Sequence, residues 1–384
     1  MKVLVLNQKV SDSYMDVIRD ALPHDTEITL ITGSEMERYS YIKAPAHNPD
    51  SLAGRLKCWW QFYRFVMKWA KQHKKEGFGL IYATSNPPIN GLLGVRLKRA
   101  LDAKFVYMNW DLYPQVIETS MKGMIPGIFS ALWHGLNRII YPKVDQMITI
   151  GEVMSQTINE KLTKKIHVDV VPMYTDVQRL HPIPKYENPF CIQQEISDRF
   201  IVLFSGKMGL GHNIELLLEA SLLLQEYRDI LFLLIGHGQK YEMVEKWIAE
   251  HQSPNVRLLP LQSEEMFPLS MASGNIGFIS QEQAAAKCFM PAKTYDMMAC
   301  GMALITYSEG TDDLTNLVRS RQLGIAMTNN DPRELADNIL KLYQDRGLLE
   351  EYGSNSRSTA MHEFDIQPVS RKYSAVFQQL CDKA

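Results

Sequence analysis

The 384-residue sequence contains no run of eighteen apolar residues, so no membrane-spanning helix is expected from it. Its five cysteines, at 58, 191, 288, 300 and 381, are odd in number, scattered and never arranged as C-x-x-C. That excludes a disulfide framework or a cysteine zinc site and reads as a set of reduced thiols. Forty-one basic residues against forty-three acidic ones leave a formal charge of −2, so no overall field directs the chain to nucleic acid. The N-terminal half has no Asp-x-Asp, no His/Cys cluster has ligand spacing, and Asp312-Asp313 stands alone, so no metal is expected. There is no internal repeat and no low-complexity segment. The opening Met1-Lys2-Val3-Leu4-Val5-Leu6-Asn7 reads as a buried strand with neither an arginine-rich leader nor a cleavage pattern, and the expectation is a cytoplasmic protein. What is present is 46% hydrophobic residues, enough at this length for two cores.

Short apolar runs alternate with helical stretches, the βαβ signature of parallel sheets covered on both faces. Strands are expected near 2–6, 27–31, 80–83, 104–107, 146–150 and 169–171, then near 200–204, 231–235, 256–258, 276–279 and 303–306. Between the two sets, prolines at 172, 182, 184 and 189 mark a linker. The reading is an α/β chain with one Rossmann-like domain at 1–175, a linker at 176–189 and a second such domain at 190–364. Ligands are expected where strands end at their carboxyl side. After Phe364 a polar helix, 365–384, gathers Tyr373, Val376, Phe377 and Leu380 on one face.

Two segments carry chemistry. In the first, the run Phe200–Phe204 breaks at Ser205-Gly206-Lys207-Met208-Gly209-Leu210-Gly211-His212-Asn213 and becomes helical. Glycines let backbone approach an anion, a helix start offers unpaired N–H groups, and Lys207 adds charge. Gly-x-x-Gly-x-Gly alone fits ordinary turn residues as well. In the second, Met290-Pro291-Ala292-Lys293-Thr294-Tyr295-Asp296 opens a short helix closed by Gly301, with Pro291 suited to its first turn. Lys293 and Asp296 are three apart and share a side, as a surface ion pair would. They also suit a nucleotide sugar, the lysine for diphosphate and the carboxylate for ribose hydroxyls.

With these segments in this order, the sequence resembles the retaining glycosyltransferases of family 4, which have the GT-B fold: two Rossmann-like parallel-sheet domains facing a central cleft. Leu234-Ile235-Gly236-His237-Gly238 is similar to the family's strand ending in Gly-x-Gly, and Asn255-Val256-Arg257-Leu258-Leu259-Pro260-Leu261 to its base-contacting segment. Asp111-Leu112-Tyr113-Pro114-Gln115 resembles a motif of members that build bacterial surface polysaccharides. There are departures. Cys288 and Asp296 stand where the family has paired glutamates, Lys207 and His212 where it has arginine and lysine, Asn7-Gln8 where many members have glycines, and Trp110 where they have histidine.

The resemblance implies transfer of a sugar from a nucleotide-sugar donor, used as substrate with no cofactor and no metal, to a lipid-linked or oligosaccharide acceptor. It implies that Lys207 and Lys293 stabilise the leaving diphosphate, with backbone N–H groups around Gly206, Gly209, Gly211 and His212 and around Met290, Pro291 and Ala292. Asp296 would hold the ribose, Gly236, His237, Gly238, Arg257 and Leu261 the base, and Asp111 the acceptor hydroxyl. It also implies that the C-terminal helix packs back on the first domain. Two other readings share the architecture: a nucleotide-sugar epimerase, which would need acid and base groups beside the sugar, and a non-catalytic two-domain ligand-binding protein.

Residues 52–75 carry seven basic residues, no acidic one, and six large aromatics. Lys57, Arg64, Lys68, Lys71 and Lys75 form one helical stripe opposite Leu56, Trp59, Phe62, Tyr63, Val66 and Ala70. Such a helix fits a core element with a solvated face. Trp60, Phe65 and Trp69 widen the apolar side beyond one sheet contact, which suits an anionic membrane surface and a peripheral place on the inner face of the cell membrane.

Overall fold

The structure is a computed structural model that describes residues 1–47, 52–120, 124–209, 211–282, 286–310 and 312–382. The chain divides into two compact units, Met1–Pro172 together with Ile366–Ala384, and Met173–Asp365.

The first unit holds seven parallel strands, β1 (Lys2–Leu6), β2 (Glu27–Thr32), β3 (Tyr41–Lys43), β4 (Phe78–Thr84), β5 (Lys104–Asn109), β6 (Gln146–Thr149) and β7 (Val168–Val170), in the order β3-β2-β1-β4-β5-β6-β7. The second holds β8 (Phe200–Lys207), β9 (Ile230–His237), β10 (Val256–Pro260), β11 (Ile276–Gln281), β12 (Ala303–Ser308) and β13 (Gly324–Met327), in the order β10-β9-β8-β11-β12-β13. Continuous apolar runs such as Val3–Leu6 and Ile201–Phe204 are buried because helices cover both faces of a parallel sheet. The strands absent from the sequence reading are β3 and β13, both short and both at sheet edges, where a core imposes little pattern.

The proline-rich segment read as a linker packs within the second unit. Thr175 bridges Asp365, Val177 and Leu180 are buried, and the fully buried Asn188 donates from Nδ2 to the Leu269 carbonyl at 2.8 Å. Its prolines punctuate the chain without releasing it from the core. In the first unit the helix Ile366–Asp382 lies against the helix Asp12–Ala21. Tyr373, Val376 and Phe377 are buried there, and the Tyr14 hydroxyl bonds those of Tyr82 and, at 3.2 Å, Tyr373.

In each sheet the strand order reverses direction between two neighbours, β1 and β4 in the first and β8 and β11 in the second. Such a switch point leaves a crevice at the carboxyl ends. The second is pronounced, because β8 and β11 pair only at Ile276↔Val202 and Gly277↔Leu203. Beyond that point the strands part, and the crevice lies between Lys207 and Gln281.

Candidate active site

The two chemistry-bearing segments meet at this crevice. β8 pairs with β9 in a register that sets Gly206 opposite Gly236. A side chain at 236 would place its Cβ 1.9 Å from the Gly206 carbonyl oxygen, so the approach of the two strands requires glycine there. Gly206 itself has φ +120°, and a Cβ on it would sit 3.3 Å from Lys293 Cε and 3.4 Å from Nζ. The lysine stem therefore lies against the bare backbone of the first loop. Its Nζ is 3.8 Å from the centroid of the Phe204 ring, closed off from solvent and without a hydrogen-bond partner. Burial pushes its pKa down to about 7. Lys207, the last residue of β8, is exposed.

The first loop is held from below. Met208 N–H donates to the His237 carbonyl at 2.7 Å, and Lys240 Nζ donates to the His212 carbonyl and to Glu215, each at 2.7 Å. Asn213 caps the helix Ile214–Leu223 by accepting from Leu216 N–H. Leu210 lies outside the described residues; Gly209 and Gly211 flank it and are partly exposed. His212 Nδ1 is 2.7 Å from the Ser280 carbonyl, which can only accept, so Nδ1 carries the proton. Burial, and then the Lys293 charge, push the imidazole pKa down to about 4. His212 is neutral at pH 7 and brings no second cation to the loop.

The helix of the second segment spans Lys293–Ala299, so Pro291 precedes its first turn; the Pro291 and Ala292 carbonyls accept from Thr294 and Tyr295 N–H. Met290 and Pro291 are buried and Ala292 is exposed. Asp296 Oδ1 accepts from the Thr175 hydroxyl at 2.9 Å, and burial pushes the carboxyl pKa up to about 6. Cys288 is buried.

Four residues that the sequence did not single out complete this end. Ser280, Gln281, Thr294 and Thr306 are buried, and Ser280 Oγ, Gln281 Oε1, Thr294 Oγ1 and Thr306 Oγ1 have no partner, as Lys293 Nζ has none. Gln281 Nε2 is fixed by the Phe289 carbonyl at 3.0 Å. Buried polar atoms are nearly always bonded, so an orphaned group at a strand-end crevice signals a ligand that supplies the missing partners. The available cue was the polar pair Ser280-Gln281 closing an apolar strand.

His237 is exposed at the end of β9, next to Gly238, and Leu261 is exposed just past β10. Arg257 is elsewhere. As the second residue of β10 it lies three positions before the Pro260↔Gly236 pair, and its Nη1 donates to the Gln194 carbonyl at 2.5 Å. Its guanidinium is thus held by the Gln194 carbonyl, away from the Pro260 end of the strand.

In the first unit Asp111 follows β5 by two residues, and its N–H donates to Ser85 Oγ at 3.3 Å. It lines a cavity of about 70 Å3 with Tyr107, Asn109, Tyr113 and Trp133. Nearby in the fold, at the carboxyl end of β1, Asn7 Nδ2 and Gln8 Oε1 are buried without partners. The basic helix spans Leu52–Gln72. Its Trp59, Phe62, Tyr63, Val66 and Ala70 are buried as its spacing implies, but so is Trp69, which packs on Phe78 of β4 and so adds nothing to the outer face. Trp60 is 53% exposed and Leu56 37%. Among the described residues no group of three or more His, Cys, Asp or Glu is arranged to hold a metal ion, and no helix is long and apolar enough to cross a membrane.

Two Rossmann-like parallel sheets of seven and six strands, each with a switch-point crevice, make this the GT-B fold of glycosyltransferases. More narrowly, residues 199–345 of the second unit match the family model described as "Glycosyl transferases group 1". An uncharacterized glycosyltransferase of Methanocaldococcus jannaschii is 18% identical over 248 residues, 64% of this chain and 61% of that relative, so the match spans less than two thirds of the relative's length. Among solved structures, Anabaena HepE in complex with UDP and glucose superposes with a TM-score of 0.73 at 16% identity, covering 99% of this chain and 100% of the other. Sucrose-phosphate synthase from Thermosynechococcus elongatus superposes with a TM-score of 0.77 at 13% identity, covering 100% of both chains.

Proposed function

We propose that the protein is a retaining, metal-independent glycosyltransferase that moves a sugar from a nucleotide-sugar donor to a lipid-linked or oligosaccharide acceptor in surface-polysaccharide synthesis. The observation that carries this reading is Lys293 Nζ, buried, unpaired and set against the backbone of Gly206. A buried cation without a counter-charge is costly, and a diphosphate in the crevice would compensate it. As the bond from the anomeric carbon to the phosphate oxygen breaks, charge grows on the leaving group. Lys293 and Lys207 stabilise that charge without reorganising, the kind of term that dominates many enzymes. Two lysines take the part a metal ion plays elsewhere. Gln281, Ser280 and Thr294 add uncharged hydrogen-bonding groups, Asp296 contacts the ribose, and the 236–238 loop and Leu261 flank the base. Asp111 of the first unit contacts the acceptor hydroxyl. The HepE complexes with UDP and with UDP-glucose favour a uridine nucleotide as the first donor to test.

The test is incubation with UDP-glucose and other nucleotide sugars, with oligosaccharide or lipid-linked acceptors, in the presence and absence of EDTA. Expected is nucleoside diphosphate release that depends on acceptor and persists in EDTA. An epimerised donor with no diphosphate released would make the enzyme an epimerase, and binding alone would make it non-catalytic. A strict magnesium or manganese requirement would overturn the two-lysine mechanism.

The acceptor is held at the inner face of the cell membrane in this reading. Lys57, Arg64, Lys68, Lys71 and Lys75 are all exposed. The helix Met124–Ile140 of the same unit packs against the basic helix through Trp133 and Trp59, and it exposes Ile128, Leu132 and Ile139 to solvent, Leu132 by 71%. Basic residues near an anionic surface contribute about 1 kcal/mol each, screened over about 10 Å at 0.1 M salt. The protein is expected to sediment with anionic vesicles in low salt and much less with neutral ones. Lys68→Glu with Lys71→Glu should release it without loss of transfer to a soluble acceptor; vesicle binding indifferent to that reversal rules out the interfacial role.

A further inference from the structure

A cleft of about 1050 Å3 in the second unit contains none of the residues assigned above. It lies at the opposite end of the sheet, where Phe200 begins β8, Asn275 precedes β11 and Gly301 precedes β12, and it is roofed by the helix Arg346–Thr359. Four basic side chains line it: Lys185, Arg199, Arg346 and Arg357. Among the described residues none of the four is in an ion pair.

Their partners are neutral instead. Lys185 Nζ donates to the Arg199 carbonyl at 2.5 Å and to Asn275 Oδ1, which leaves one of its three N–H donors. Arg357 is committed to the Leu180, Ala299 and Val177 carbonyls, and Arg199 to those of Asp229 and Ile230. Arg346 stacks at 4.7 Å from the Phe200 ring centroid and 5.0 Å from that of Tyr343. A guanidinium oriented by ring stacking keeps its N–H edge for a planar or tetrahedral oxyanion. Asp198, Asp229 and Glu350 also line the cleft, but Asp229 accepts the Tyr343 hydroxyl and none of the three pairs with a basic group. Burial pushes the Lys185 pKa down to about 8; Arg346 adds to that direction, while Cys191 and Asp198 oppose it. Ser354 and Ser358 line the cleft as well, and the space exceeds that of a phosphate alone.

We propose that this cleft is a second, non-catalytic site that binds a phosphorylated small molecule, with the phosphate group on Lys185 and Arg346. The site is remote from the Lys293 crevice and independent of what that crevice binds.

The experiment is calorimetric titration of the whole protein, its donor crevice blocked with saturating UDP, using inorganic phosphate in one arm and glucose 6-phosphate in the other. Should UDP not bind, the Lys293→Met protein replaces the blocked one. Saturable binding is expected in at least one arm. Arg346→Ala and Lys185→Met should each weaken it roughly tenfold or more, since a hydrogen bond to a charged group contributes about 1.5–3 kcal/mol. UDP affinity should not change in either variant. Arg346 is exposed and Met approximates the Lys185 stem, so neither change is expected to unfold the unit. Tighter glucose 6-phosphate binding identifies a sugar phosphate as the ligand class, and equal binding identifies the phosphate group alone. No binding in either arm, or binding indifferent to both substitutions, overturns the proposal.

Discussion

Lys293→Met is expected to lower sugar transfer by about 100-fold or more and, at the same time, to raise the thermal midpoint of the protein. The loss follows if Nζ stabilises the leaving diphosphate, as removal of a preorganised charge-stabilising donor does elsewhere. The gain follows from linkage. The lysine titrates near its usual value of 10.5 when unfolded and at about 7 when folded, so between those values the unfolded chain binds more protons. This group's penalty on the fold is therefore largest at and below pH 7 and relaxes as pH rises toward 10.5. At 1.36 kcal/mol per unit, methionine would recover up to a few kcal/mol at neutral pH. Donor binding has the opposite pH trend. Diphosphate favours the ammonium form, so UDP affinity in the wild type should fall above pH 7 by up to about tenfold per pH unit, and the methionine variant should lack that fall. Transfer assays, calorimetric UDP titrations at pH 6.5 and 8.5, and melting curves of both proteins read all three effects. Normal turnover in the variant would remove Lys293 from the mechanism, and a lowered midpoint would mean that its charge is already compensated in the empty protein.

Asp296→Asn is expected to separate binding from stability in the same way. Its carboxyl group titrates near 3.8 unfolded and about 6 folded. The folded state holds the extra proton across that window, so this contribution to stability is present at low pH and lost as pH rises through 6. Asparagine keeps an oxygen for the Thr175 hydroxyl and removes the buried charge. Stability at pH 8 should rise by roughly 1–3 kcal/mol, with little gain at pH 4, as read from urea titrations at the two values. Replacing an ionised acceptor by an amide should raise the donor KM about tenfold, because hydrogen bonds to charged groups are the stronger ones. An unchanged KM would show that Asp296 only fastens residue 175 to its helix. Cys288→Ala should leave KM near normal, as the thiol offers no carboxylate to lose.

Both predictions concern buried groups held away from their ordinary ionisation, a kind of shift that concentrates at functional sites. A protein optimised only for stability would carry neither. In the proposed function the same reasoning covers the partnerless Ser280, Gln281, Thr294 and Thr306 atoms, each costly in the empty protein and compensated by the bound donor.

The amino-acid sequence by itself determined the two-sheet architecture, because buried parallel strands are local apolar runs and the helices between them have local caps and periodicity. Ten of its eleven expected strands overlap observed ones by several residues; the remaining one, near 169–171, shares two with β7, while the edge strands β3 and β13 had too little burial to leave a pattern. It also placed Lys207 and Lys293 on the segments that converge, since the glycines and the lysine sit at strand-to-helix turns that any such sheet directs to one end. Charge state was not legible. His212 is neutral and Lys293 close to half-charged at pH 7 because of side chains distant in sequence that strip them of water. Nor was the direction of Arg257, whose place depends on where β10 begins and on the Gln194 carbonyl that receives it. Trp69 looked like surplus apolar surface until Phe78 of β4 covered it. Spacing along a chain encodes which residues share a face, whereas desolvation and unpaired buried atoms depend on what packs against that face, and only the tertiary structure decides that.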